Sequence, residues 1–321
     1  MVKERAMKRV SIKKGIRDIL TYKDDYICHY DKTIQKVDRK TGTVKGIIKR
    51  RSGYYISILC TERGYLAALS LYGDCVDIFN ISTMRLVHSF KRKGKNKLTR
   101  EESVFCYHPA ENSIYCCLSN EDSRKESDIW IYYISKISLD DMTEELLISI
   151  SNCCTYEAIY HPWKEDVLLH YKVFHDDDSG TGIHKGMWMK HPEEEIFLKD
   201  SKEDEIDIER VWFTEDGSRI TYTHGPWYKA LQFPGQKEWV RDITDAAISD
   251  DHKWFAYIKE ERIYLYSLEE SRVEQEIEIE RVYKGYFFEP RFYKIRFLGN
   301  DHLYCHYYNY VLFLCLYEID R

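Results

Sequence analysis

The feature that most constrains this chain is the stretch 245–280, DAAISDDHKWFAYIKEERIYLYSLEESRVEQEIEIE, which breaks into four short strands joined by polar turns. Residues 246–249 form a short apolar strand, stopped by Asp250-Asp251-His252-Lys253. Residues 254–258 are aromatic and apolar, and Lys259-Glu260-Glu261 makes the next turn. Across 262–268, Ile263 and Leu265 alternate with Tyr264 and Tyr266, which the pattern places outward. Alternation with period two marks a strand with one buried face. After Glu269-Glu270-Ser271, Val273, Ile277 and Ile279 end the unit on a more exposed strand. One such sheet cannot bury both of its faces, so several copies must pack together to make a core.

Weaker copies run the length of the chain. Expected units cover 19–49, 54–90, 103–150, 155–199, 209–242 and 292–320, with a charged insert at 121–127 and a polar one at 175–186. Third strands begin near residues 33, 75, 128, 183, 227, 262 and 311, a mean spacing of about 46 that suits propeller repeats. The last unit holds only three strands, 293–297, 302–307 and 311–319, while KRVSIK at 8–13 alternates and belongs to no other unit. An N-terminal strand that completes the last blade would remove a sheet edge. The expectation is an all-β, single-domain β-propeller over residues 1–321. It has seven four-stranded antiparallel blades, with six or eight left open by the irregular third and fourth units.

FTEDGSRITY at 213–222, ISDDHKWFAYI at 248–258 and CYHPAENSIYCC at 106–117 each pair two apolar strands across an Asp, Asn or Gly turn. In this the chain resembles the WD-repeat and YVTN-type propeller superfamily. The family's Gly-His pair and terminal Trp-Asp dipeptide are absent, and third strands end instead in Val37-Asp38, Phe79-Asn80 and Tyr266-Ser267. The resemblance implies either an interaction platform or a hydrolase or lactonase-type enzyme with its site at the central opening.

No apolar run of about 18 residues exists, so no membrane span is expected. The basic start MVKERAMKRVSIKK is followed by no apolar segment of the secretory kind. Ten cysteines lack CxxC spacing, and Cys28, Cys106, Cys116 and Cys305 fall in strands beside aromatic residues. They read as small core hydrophobes of a cytoplasmic protein rather than as disulfides or zinc ligands.

Charge is strongly divided. Residues 1–100 hold 24 Lys and Arg against 9 Asp and Glu, whereas the remaining 221 hold 24 against 45. The basic clusters, Lys49-Arg50-Arg51 and the run with Lys91, Arg92, Lys93, Lys95 and Lys97, fall between units, on one expected loop face. On that face DSKEDEIDIE at 200–209 is acidic. The matching partner is an acidic protein or peptide. Nucleic acid ranks third, because the total charge is −6 and the basic loops lack aromatics for base stacking.

Aromatic anchors for such a partner are Trp227, Tyr228, Tyr308 and Tyr310. His175, Asp176, Asp178 and His184 in the polar insert are the weak candidates for a divalent metal, though their spacing matches no ligand motif. Gly180 and Gly182 lack the following Lys-Ser/Thr of a phosphate loop. No cofactor is expected, and no Ser-His-Asp or Cys-His pair stands out. His108-Pro109 and His161-Pro162 occupy equivalent turns and read as repeat structure.

Overall fold

The computed structural model describes residues 8–30, 32–49, 55–70, 75–91, 104–121, 130–175, 181–202, 206–224, 229–278, 291–299, 302–309 and 311–319. Among these the regular structure is all strand. Strand β1 (Lys8–Lys14) stands alone at the start of the chain. It is followed by a meander of β2 (Asp18–Tyr22), β3 (Asp25–His29), β4 (Thr33–Asp38) and β5 (Val44–Lys49). The next sheet is β6 (Tyr55–Cys60), β7 (Tyr65–Ser70), β8 (Cys75–Asn80) and β9 (Arg85–Lys91). Then come β10 (Phe105–His108), β11 (Ser113–Glu121), β12 (Trp130–Ser138) and β13 (Thr143–Ser151). A fourth meander holds β14 (Cys153–His161), β15 (Asp166–Phe174), β16 (Gly182–Trp188) and β17 (His191–Asp200). Further on are β18 (Asp207–Phe213), β19 (Arg219–His224), β20 (Lys229–Gln232) and β21 (Val240–Arg241). The reference stretch supplies β22 (Ile243–Ile248), β23 (Trp254–Lys259), β24 (Arg262–Ser267) and β25 (Arg272–Glu278). The last three strands are β26 (Arg291–Leu298), β27 (His302–Asn309) and β28 (Val311–Glu318).

The N-terminal strand does what its alternation suggested. β1 pairs antiparallel with β28, from Lys8 opposite Glu318 to Lys14 opposite Phe313, and completes the sheet β1-β28-β27-β26.

The turns explain why short strands form where they do. In HPAEN and HPWKE the N–H of Asn112 and of Glu165 donates back to the carbonyl of Pro109 and Pro162. Both residues take the left-handed backbone, at φ 46° and 49°. The two His-Pro segments are therefore one repeated turn, as their positions implied. His252 closes the turn before β23 in the same conformation, its N–H bonded to the Ser249 carbonyl.

The chain divides into two compact units. One comprises Met1–Thr21, Cys28–Asp31 and Trp212–Arg321. Its core joins Ala256, Ile263 and Leu265 to Ile295, Leu303 and Cys305, all fully buried. The other comprises Tyr22–Ile27 and Lys32–Val211. It packs Ala67, Leu69 and Ile78 against Ile114 and Ile137, and Tyr132 and Ile134 against Val167, Leu169 and Tyr171.

Tyr266 does not face outward: it is 5 % exposed and stacks on Phe233 with ring centroids 4.2 Å apart. Tyr264 is partly covered and stacks on Tyr257 at 5.0 Å. Both faces of this sheet are in contact with other side chains, so alternation within β24 separates two kinds of covered position rather than core from solvent. Cys28, Cys116 and Cys305 are buried and Cys106 is partly buried. Burial pushes the Cys106 and Cys116 thiols up to about 12, so both stay neutral.

Candidate functional site

The polar side chains that the strands draw inward collect around a few carboxylates, each on the first strand of a sheet and each bonded to the sheet beside it. Asp207 opens β18. Its Oδ1 accepts from Lys172 Nζ of β15 at 2.8 Å and from His184 Nε2 of β16 at 3.0 Å. His184 Nδ1 in turn lies 3.1 Å from His170 Nε2. An ionised Asp207 makes His184 Nε2 the donor, so a neutral His184 presents Nδ1 as acceptor and His170 Nε2 donates to it. His170 Nδ1 is left as a buried acceptor with no hydrogen-bond partner among the described residues. The Tyr156 ring stacks on His170 at 4.8 Å.

The titration behaviour follows from this geometry. Burial alone would raise the Asp207 carboxyl, but the bonds from His184 and Lys172 outweigh it and hold it at about 2. Burial keeps the His170 imidazole well below its ordinary range, with His184 beside it adding to the effect. The line of groups is a fixed set of neutral tautomers ending on one carboxylate. Its physical effect is to fasten β18 to the sheet before it.

The same construction recurs in the other unit. Asp18 of β2 accepts hydrogen bonds from Lys294 Nζ of β26, at 3.2 Å, and from the Tyr304 hydroxyl of β27. Burial opposes ionisation of Asp18, yet Lys294 and Tyr304 keep its carboxyl below the usual value. His306 lies beside them on β27; burial first, and then the Lys294 charge, lower its imidazole to about 3. Asp245 of β22 accepts from the Ile295 backbone N–H at 2.7 Å and from the Arg296 guanidinium at 2.9 Å.

Of these groups only His184 was singled out from the sequence, as a weak candidate for a metal. His170 and Lys172 lie in LLHYKVF, a strand buried along most of its length, and Asp207 sits in a run read there as an acidic loop. A strand-interior Lys two residues from a His was the available signal, since a buried ammonium requires a carboxylate from elsewhere.

The sequence-derived candidates are placed differently. His184 is buried and bonded to Asp207, whereas His175 Nε2 lies 2.9 Å from Asp200 Oδ1. The two histidines therefore hold different carboxylates rather than a common ligand set. Asp176 and Asp178 lie outside the described residues. Among the described residues no three His, Cys, Asp or Glu side chains gather to hold a metal ion. Within the acidic run 200–209, Asp200 pairs with His175 and Asp207 with His184 and Lys172. Lys49 and Lys91 are exposed at the ends of β5 and β9. Arg50, Arg51, Arg92, Lys93, Lys95, Lys97, Trp227, Tyr228 and Tyr310 lie outside the described residues, as does the side chain of Tyr308.

No protein-family model matches the chain, and no curated protein matches it. Solved structures do. The beta-propeller domain of Cps50 (Swd1) from Myceliophteria thermophila superposes with a TM-score of 0.59 at 10% identity, over 96% of this chain and 100% of that one. The chain is a β-propeller. Raptor from Chaetomium thermophilum is also similar, at TM-score 0.65 and 11% identity over 98% of this chain. The propeller described here spans only 29% of that Raptor chain. At such identities the likeness concerns the fold, and the four-stranded antiparallel sheets are its blades.

Proposed function

We propose that this β-propeller, residues 1–321 acting as one domain, is a WD-repeat-like interaction platform. It docks an acidic protein or peptide on the loop face that carries the basic segments. The observation that supports this most is how the buried charges are used. Asp18, Asp207 and Asp245 each accept from cations or N–H donors of an adjoining sheet, an arrangement that stiffens a scaffold. Lys49 and Lys91, by contrast, are exposed where β5 and β9 run into the basic segments.

In the enzyme reading, a hydrolase or lactonase-type site would draw on His175 and His184. Their separate pairing with Asp200 and Asp207 favours the platform. Electrostatic complementarity would set orientation and on-rate more than raw affinity. Proteins captured by the wild type and by a variant with Lys91, Arg92, Lys93, Lys95 and Lys97 changed to Glu would be compared by mass spectrometry. The expected result is an acidic partner retained by the wild type and lost from the variant. Equal capture by both would refute the basic loop face as the docking site.

A further inference from the structure

All the exposed large hydrophobic residues of the described chain but Trp239 lie on one class of strand, Val273 of β25 among them. Val44 and Ile47 lie in β5, Leu86 and Val87 in β9, Leu146 in β13 and Phe197 in β17. Each of these strands is the last of its sheet. The outward row of N–H and C=O groups on such a strand has no partner strand within its own sheet, which makes it a template for another extended segment.

Charge separates these edges. The β13 strand carries Glu144 and Glu145, and β17 carries Glu193, Glu194 and Glu195. Strands β5 and β9 carry Lys and Arg and no carboxylate. In β5, however, Lys45 Nζ is held by Asp25 at 2.6 Å and by Asp38 at 2.8 Å. On β9 the four residues Arg85, Leu86, Val87 and His88 are exposed in succession, with Lys91 exposed at its far end. Among the described residues that strand alone joins consecutive exposed apolar side chains to a basic residue at each end. Gatekeeping lysines are common on edges, but adjoining Leu and Val at 55 % and 46 % exposure do not fit a purely repellent edge.

We propose that the outer edge of β9 takes an extended acidic segment of the partner as an added strand. Its apolar residues would lie on Leu86 and Val87, and its carboxylates near Arg85 and Lys91. This rests on the interaction-platform reading and names a second surface for the same acidic partner class.

The test uses a fluorescent eight-residue peptide of alternating Glu and Val, followed by anisotropy at low salt on the full chain. Comparison peptides are its Lys-Val counterpart and a Glu-Val version N-methylated at alternate residues, which cannot complete a strand ladder. The wild type should bind the Glu-Val peptide at least tenfold more tightly than either. Val87→Asp should weaken it at least tenfold, and Arg85→Glu serves as a second variant should the first fail to fold. Equal binding of the N-methylated peptide would overturn the proposal. Glu-Val binding that survives both substitutions would overturn the edge site and leave the platform reading standing. No Glu-Val binding by the wild type would overturn the edge site, whereas the platform reading falls only if the capture experiment fails too. Concentration-dependent self-association abolished by Val87→Asp would assign the edge to a second copy and overturn a foreign partner.

Discussion

Lys172 Nζ lies 2.8 Å from Oδ1 of Asp207, on a side chain 3 % exposed, while that of Asp207 is 39 % exposed. The ammonium is the buried member of the pair, so neutralising the carboxylate removes an opposing charge where water compensates little. Asp207→Asn should therefore cost about 2–3 kcal/mol, below the full penalty of a wholly buried pair because Asp207 keeps some solvent. Lys172→Met removes the charge as well and should cost less. Urea unfolding of the two variants checks this, and an Asp207→Asn loss no larger than that of Lys172→Met would contradict it. The same carboxyl, held at about 2, stabilises the fold fully above about pH 4, and that contribution fades as pH falls toward 2.

A second pH window belongs to the buried imidazoles. His306 is lowered to about 3, chiefly by burial and then by Lys294. Below about pH 6.5 the unfolded chain binds a proton that the folded chain refuses, so stability falls as pH drops from 6.5 toward 3. For one histidine the slope is about 1.4 kcal/mol per pH unit. His306→Gln removes the titrating group and should flatten this limb. Urea midpoints at pH 7.5 and 5 would show a smaller difference in the variant than in the wild type. An unchanged difference would mean that His306 is not the group responsible.

Much of the fold was legible because its signal is local. Alternation in 8–13 and in 262–268 is a property of neighbouring residues, and both segments form strands with the expected partners. Tyr266 was misread because period two reports which residues share a face, not whether that face is covered by a ring such as Phe233. The polar networks were hidden for a related reason. Lys172 and Asp207 are 35 residues apart, and Asp18 and Tyr304 are 286 apart. Their pairing exists only once neighbouring sheets are packed. The residues on which the docking reading leans, from Arg92 to Lys97 and at Trp227, carry their information in side-chain type alone.

Strand β1 supplies the next expectation. It lies along β28 over registers from Lys8–Glu318 to Lys14–Phe313, so it covers a strand that is otherwise the edge of its sheet. Removing residues 1–14 should expose that edge and drive self-association. Sedimentation velocity of the shortened chain should show concentration-dependent species absent from the full chain. A monodisperse, equally stable product would show that β28 needs no cover.

Two glycines separate backbone crowding from side-chain crowding. At Gly182, the first residue of β16, an added β-carbon would clash with the Val173 carbonyl oxygen, a backbone atom that the β15–β16 ladder holds in place. The Gly182 N–H also donates to Ser201 Oγ at 2.9 Å, and the Ser201 hydroxyl returns a bond to the Gly182 carbonyl at 3.0 Å. Relief of the clash must therefore break the ladder or this reciprocal pair. At Gly46 the nearest atom would be Met84 Cγ at 2.6 Å, on a flexible side chain only partly buried. Met84 can turn aside with little loss. Gly182→Ala should accordingly cost about 3 kcal/mol, and Gly46→Ala less than about 1 kcal/mol. Thermal melts of the two variants side by side measure the contrast. Similar losses at both positions would mean that Val173 yields as readily as Met84, and that the register between β15 and β16 is softer than its hydrogen bonds imply.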